Sequence, residues 1–160
     1  MADSFDILKS ELSGLISSFS EELDEITRNR ASQQRIDDYT SLLRKMLVQS
    51  SLCYLDDVLS FFDGRCYVPV SVKRVCSMIG NLLHDNGVGA SDIRKISDMP
   101  FLVLEERRHE VDSDKVVFEN CVLDVASGIV LPFGTSVYTD YVRPFGYSED
   151  ARCPMWKKFL

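Results

Sequence analysis

The residues of this 160-residue chain whose types could do chemistry fall into four sets: five cysteines, two histidines, several pairs of adjacent acids, and a run of basic side chains in the middle third. The cysteines stand at 53, 66, 76, 121 and 153, so no C-x-x-C occurs and the count is odd. Such spacing fits neither a disulfide framework nor a zinc site, and it predicts small buried hydrophobes. Cys76 and His84 are eight residues apart, two helical turns and not adjacent ones. His84 and His109 have no neighbouring Ser or Cys to activate. The acid pairs Glu21-Glu22, Asp37-Asp38, Asp56-Asp57 and Glu149-Asp150 would hold magnesium or move protons only where a fold converges them. Adjacent residues on a helix or strand point apart.

Motifs with a defined mechanism are missing. There is no G-x-x-x-x-G-K-S/T, G-x-G-x-x-G, H-E-x-x-H or G-x-S-x-G. No catalytic, cofactor-binding or metal-binding residue is therefore predicted, and the chain as it stands reads as no enzyme. The charge distribution says more. Net charge is −7, which does not describe a protein that coats nucleic acid through its overall field. Residues 1–63 hold 12 acidic and 6 basic side chains, residues 111–160 hold 7 and 5, but residues 64–110 hold 6 and 7. An anionic ligand would therefore be met in the middle third, by Arg65, Lys73, Arg74, Arg94 and Lys95.

These residues need elements to place them. Phe5, Leu8, Leu12, Leu15, Ile16 and Phe19 recur at steps of three and four and predict a helix over about 4–20, capped by Ser4. The segment 21–34 is polar. Ile36, Tyr39, Leu43, Met46 and Leu47 predict a second helix over about 35–53. Asp63-Gly64 between apolar runs signals a hairpin with a tight turn and strands at about 58–62 and 65–68; Pro69 makes the second an edge strand or ends it. Ser71 caps a helix over 72–85, closed by Asn86-Gly87, and Ser91 caps a short one over 92–98. Residues 101–104 read as a strand or a buried turn, and Glu105–Glu110 as a solvated charge cluster. Val116–Phe118, Val122–Val125 and Ile129–Leu131 read as three short strands, with Ser127-Gly128 turning the second into the third. Residues 137–147 are β-rich and irregular. Pro154 suits the first turn of a helix that is only starting at MWKKFL, so more chain is expected beyond it.

The fold class is thus α+β. A helical pair forms a region over 1–52. A hairpin plus helices, in an order compatible with a winged-helix-like arrangement, and a small antiparallel β segment form a unit over 53–147. Residues 148–160 lead into a further domain. No signal peptide or membrane-length apolar run appears, so a cytoplasmic address is expected.

Four motifs in order carry a resemblance. They are Asn120-Cys121-Val122-Leu123-Asp124-Val125-x-x-Gly128 followed by Tyr138; Arg143-Pro144-Phe145-x-Tyr147; Asp150-Ala151-x-Cys153-Pro154-x-Trp156-x-x-Phe159-Leu160; and, upstream, the hairpin Phe61-Phe62-Asp63-Gly64-Arg65-Cys66-Tyr67. Together, over residues 54–160, they resemble the region just before the helicase module of phage- and plasmid-type DNA primase–helicases, a type shared with the large poxvirus primase–helicase. Cys121 stands where that family has Gly, and Phe145-Gly146 where it has a Tyr–Asp type pair. The resemblance implies a non-catalytic segment of a DNA-replication protein, with a primase N-terminal to it and a superfamily-three ATPase beyond residue 160. Asn120, Gly128, Pro154, Trp156 and Leu160 would then shape turns and the lead-in helix. Its expected partners are single-stranded or forked DNA, bound weakly by this chain alone, the adjacent helicase and primase domains, and a homo-oligomer, but no membrane. Arg65, Lys73, Arg74, Arg94 and Lys95 would face phosphate, and Tyr67 would stack on a base or form a cross-strand core contact. The alternative is an interaction module without DNA contact, in which the acidic helical first 63 residues meet a partner or a neighbouring subunit.

Overall fold

In a computed structural model, which describes residues 4–29, 31–96, 104 and 106–151, the chain is α+β as its patterning predicts. Helix α1 (Ser4–Ser18) buries Leu8, Leu12 and Ile16 on the predicted face. The polar segment that follows is itself a helix, α2 (Ser20–Asn29), so the N-terminal pair is a trio. Two side chains anchor it, Leu23 and Ile26, both buried. Glu21 and Glu22 in its first turn and Arg28 in its last complement the helix dipole. Lys45 Nζ donates to Glu22 at 2.8 Å from the next helix, α3 (Ser32–Gln49), which starts earlier and ends earlier than its periodicity predicts. Ser50 closes it, its N–H donating back to the carbonyls of Met46 and Leu47.

Two four-stranded sheets follow. The first has the order β3-β2-β1-β4 and the second β7-β6-β5-β8. In the first, β1 (Cys53–Leu55) and β2 (Val58–Phe62) form a hairpin that the composition does not announce. Its two-residue turn is Asp56-Asp57, with φ of 45° and 66°. Asp tolerates the left-handed region that a type I′ turn needs at both positions. Strand β3 (Tyr67–Pro69) pairs with β2 through Phe62↔Tyr67, so the Asp63-Gly64 connection spans four residues, not two. Asp63 Oδ1 accepts the N–H groups of Arg65 and Cys66, and only Gly64 takes positive φ, at 102°. The shift is two residues, which preserves the face of every β3 side chain. Pro69 ends this edge strand, as expected.

Helix α4 (Val72–Asp85) starts at Ser71, whose Oγ accepts the Arg74 N–H, and ends at Gly87 (φ 85°). Helix α5 (Ala90–Ile96) begins two residues earlier than predicted, because the Gly89 carbonyl and not Ser91 receives its first N–H groups. The remainder of the expected 92–98 helix and residues 101–103 lie outside the described residues. Leu104 is buried. The charge cluster at 105–110 is not merely solvated. Arg108–His109 form β4, parallel to β1, and the Arg107 guanidinium donates to the carbonyls of Leu47, Val48 and Ser50 at the end of α3. It satisfies orphan acceptors and complements the helix dipole at once.

The second sheet contains the three predicted strands, β5 (Lys115–Phe118), β6 (Val122–Asp124) and β7 (Ile129–Leu131), with Gly128 at φ 72° in the turn. It is mixed and not purely antiparallel, since β8 (Val142–Arg143) runs parallel to β5. Asn120 bridges to Tyr147, its Oδ1 accepting the Tyr147 N–H at 2.7 Å and its Nδ2 donating to the Tyr147 carbonyl at 3.0 Å. Cys121, standing where the resembled family has Gly, has no positive φ and is buried, so the side chain imposes no strain.

The main core lies between α1, α3, α4 and one face of the first sheet, where Leu59 and Phe61 enter it. The other face carries Cys53, Leu55 and Tyr67, packed with Phe62, Val111 and Tyr138. A third cluster, Val117, Val122 and Val137, fills one face of the second sheet. Among the described residues no helix is long and apolar enough to cross a membrane.

Candidate nucleic-acid interface

Arg65 is exposed in the loop between β2 and β3. Lys73 and Arg74 are exposed in the first turn of α4. The start of α1 brings these three into one neighbourhood. Ser4 Oγ donates to Asp63 Oδ2 at 3.3 Å, and the Arg74 guanidinium lies 3.5 Å over the Phe5 ring, which in turn meets Phe61 with centroids 5.8 Å apart. Cations in the first turn of a helix oppose its dipole, so helix stability does not explain Lys73 and Arg74.

Arg94 and Lys95 are different. They occupy the last turn of α5, where the dipole favours cations. Arg35 Nε donates to the buried Asp92 at 2.7 Å and ties α5 to α3, while Ile93 lies against Gly80 of α4. Gly80 is six residues past Arg74, about 9 Å along the helix axis. The predicted cations therefore form two groups, one around the start of α1 and one at the end of α5.

Tyr67 is corrected. It is 2% exposed and pairs with Phe62 on the inner face of β3. Its ring lies 5.6 Å from Phe62 and 5.4 Å from Tyr138, and its hydroxyl donates to the Thr135 carbonyl at 2.7 Å. A ring in that position cannot stack on a base. It is the core contact that the sequence offered as the other reading, and it joins the two sheets. His109 extends the column, stacked on Tyr138 at 3.8 Å between centroids and 12° between planes.

The acid pairs do not converge. Asp56 and Asp57 form the β1–β2 turn, where Asp56 Oδ1 accepts the Val111 N–H and Asp57 pairs with Arg108. They border an open depression with Arg108, His109 and Glu110. Among the described residues no three metal-ligating side chains come together. Two of the thiols, Cys53 and Cys66, are poor nucleophiles. Burial, and then the neighbouring Asp63, push Cys66 up to about 11, and burial raises Cys53.

Sequence reasoning missed the open face of the second sheet. Val142 packs into the third cluster, so strand alternation turns Tyr141 and Arg143 outward. The Arg143 guanidinium lies 5.1 Å over the Tyr141 ring, and Phe118 meets Phe145 and Tyr147 beside them. The only available signal was the β-rich composition of 137–147, which does not tell which side chains face out.

The model of the D5 N terminal like family matches residues 84–160, just under half of the chain, from the end of α4 through both β4 and the whole second sheet. That family corresponds to the pre-helicase region of primase–helicases that the motifs of this region resemble. The hairpin motif at Phe61–Tyr67 lies outside the matched residues. No protein in a search of curated proteins matches the chain.

Proposed function

From that family match we propose that this chain is a non-catalytic accessory domain of a phage- or plasmid-type DNA primase–helicase, which positions DNA beside the adjacent superfamily-three helicase, or assembles it, during replication in the cytoplasm. The match over residues 84–160 carries the reading. The grouping of Arg65, Lys73 and Arg74 around the start of α1 supports a phosphate contact there, since nothing in helix energetics calls for two cations at that end of α4. With a net charge of −7 the contact is local and weak for this chain alone.

The test is single-stranded DNA binding by Arg65→Glu/Lys73→Glu and, separately, Arg94→Glu/Lys95→Glu. Loss of affinity in the first pair, with the salt dependence flattened by about 0.7 per lost phosphate contact, is the expected result. Unchanged affinity in both removes the DNA assignment from these residues.

A second reading, an interaction module without DNA contact, rests on Val125, Ile129 and Phe145, which are 58%, 56% and 56% exposed on the second sheet and its flank. It predicts partner binding or self-association that survives both charge reversals.

A further inference from the structure

The second sheet holds a cleft beside β5 and β8. Its volume is about 100 Å³, and its walls include Lys115, Thr139, Tyr141 and Arg143. Thr139 is 5% exposed, and its hydroxyl has no hydrogen-bond partner among the described residues. Closed to solvent, that hydroxyl meets no ligand, and any contact falls to the exposed side chains of the cleft. Arg143 makes no ion pair among the described residues and lies over Tyr141, which is 55% exposed. Phe145, four residues along from Tyr141, presents a second open ring, and Phe118 backs it at 5.7 Å. Outward rings with an unpaired guanidinium beside one of them are the elements of a single-strand contact: bases stack on the rings, and the guanidinium meets a phosphate.

We propose that the open face of this sheet binds single-stranded DNA, with bases on Tyr141 and Phe145 and one phosphate held by Arg143. The proposal rests on the DNA-positioning reading above but assigns the contact to different residues. The acids nearby set its character. Asp112 is engaged by Lys115 at 4.0 Å and accepts the Tyr138 N–H at 2.8 Å. Asp140 is exposed on the cleft wall and repels phosphate. Two cations against two acids leave no net field, so binding is led by stacking and depends weakly on salt. An apolar protein surface would leave the Arg143 guanidinium unmatched, and a duplex would hide the base faces. Both are outcomes of the test.

The full 160-residue chain is titrated into a fluorescein-labelled fifteen-thymidine strand at low salt, and anisotropy is followed. Tyr141→Ala and Arg143→Ala are each expected to weaken binding about tenfold, and Tyr141→Phe less than twofold. Asp140→Asn is expected to strengthen binding. The salt dependence should correspond to about one phosphate contact, a slope near −0.7. Thermal melts of each variant accompany the titrations, and Arg143→Ala keeps the result readable if Tyr141→Ala unfolds. Unchanged binding in every folded one of Tyr141→Ala and Arg143→Ala overturns the proposal; if Arg65→Glu/Lys73→Glu then abolishes binding, the DNA reading stands without this site. Preference for a duplex of the same length overturns the stacking geometry. Absence of any binding by the unaltered chain overturns both, and leaves this face as a protein-docking surface.

Discussion

Replacing Tyr67 separates a structural residue from a DNA contact more sharply than any other change. Its backbone N–H donates to the Thr139 carbonyl at 2.7 Å, its hydroxyl to the Thr135 carbonyl at 2.7 Å, and its ring is packed between Phe62 and Tyr138. Tyr67→Phe keeps the ring and leaves the Thr135 carbonyl without that donor, a loss of about 1–2 kcal/mol. At about 2–4 °C per kcal/mol for a chain of this length, the melting temperature should fall by roughly 2–8 °C. Tyr67→Ala also removes the buried ring, about 3–5 kcal/mol, and two aromatic contacts worth about 0.5–1.5 kcal/mol each. That approaches the whole stability of an ordinary domain, so this variant should be largely unfolded or melt more than about 10 °C lower. The assay is thermal unfolding by circular dichroism, paired with single-strand titration below the melting transition. Folded Tyr67→Phe should bind DNA as the unaltered chain does. A Tyr67→Ala protein with an unchanged melting temperature but lost DNA binding would refute the reasoning, because it would make the ring an exposed platform.

Two further predictions follow from the buried thiols and from the corner of the second sheet. Burial raises Cys66 to about 11 from an ordinary value near 9, and raises Cys53, Tyr67 and Tyr138 as well, so the folded chain holds protons that the unfolded chain releases. Their contribution is complete below about pH 9 and is lost as pH rises towards 11; the urea midpoint should drop between pH 8 and pH 10.5 by the equivalent of about 1–2 kcal/mol, and a flat profile would contradict the burial. Asn120→Ala removes both bonds to Tyr147 at an exposed corner, so hydrogen exchange at the Tyr147 amide should accelerate strongly while the melting temperature moves by only about 2–5 °C; retained protection there would show that Asn120 does not hold the corner.

Helices with a full apolar stripe were legible in the sequence, and so were the strands on either side of Ser127-Gly128. Helix α4 matches from its Ser71 cap to its end at Asp85 because cap, stripe and terminal glycine agree. What escaped was decided by contacts distant in the chain. Helix α2 has two apolar anchors and no stripe; its helicity depends on α3 beneath it and on Lys45 meeting Glu22. Strand β4 is two residues long, in a run of charges, and exists because β1 offers it an edge. The stronger turn signal, Asp63-Gly64, gave way to a four-residue loop, whereas Asp56-Asp57, read only as an acid pair, makes the tight turn. Both outcomes follow from register: Phe62 and Tyr67 must share the inner face, and pairing them directly leaves four residues to connect.

The candidate site was legible in kind but not in place. Composition located cations in the middle third, yet a cation's use depends on what already occupies it. Arg107 caps α3, Arg108 pairs with Asp57, and Arg94 and Lys95 suit the end of α5. Two residues outside the middle third's run of charge, Tyr141 and Arg143, stand on an open face because of one packing choice two residues wide. Val142 is drawn into the cluster of Val117, Val122 and Val137, and alternation along the strand does the rest. In a chain of net charge −7 no long-range field gathers DNA, so a contact must come from side chains the fold leaves uncommitted. Tyr141 and Arg143 meet that condition, whereas Tyr67 is fully engaged in joining the sheets.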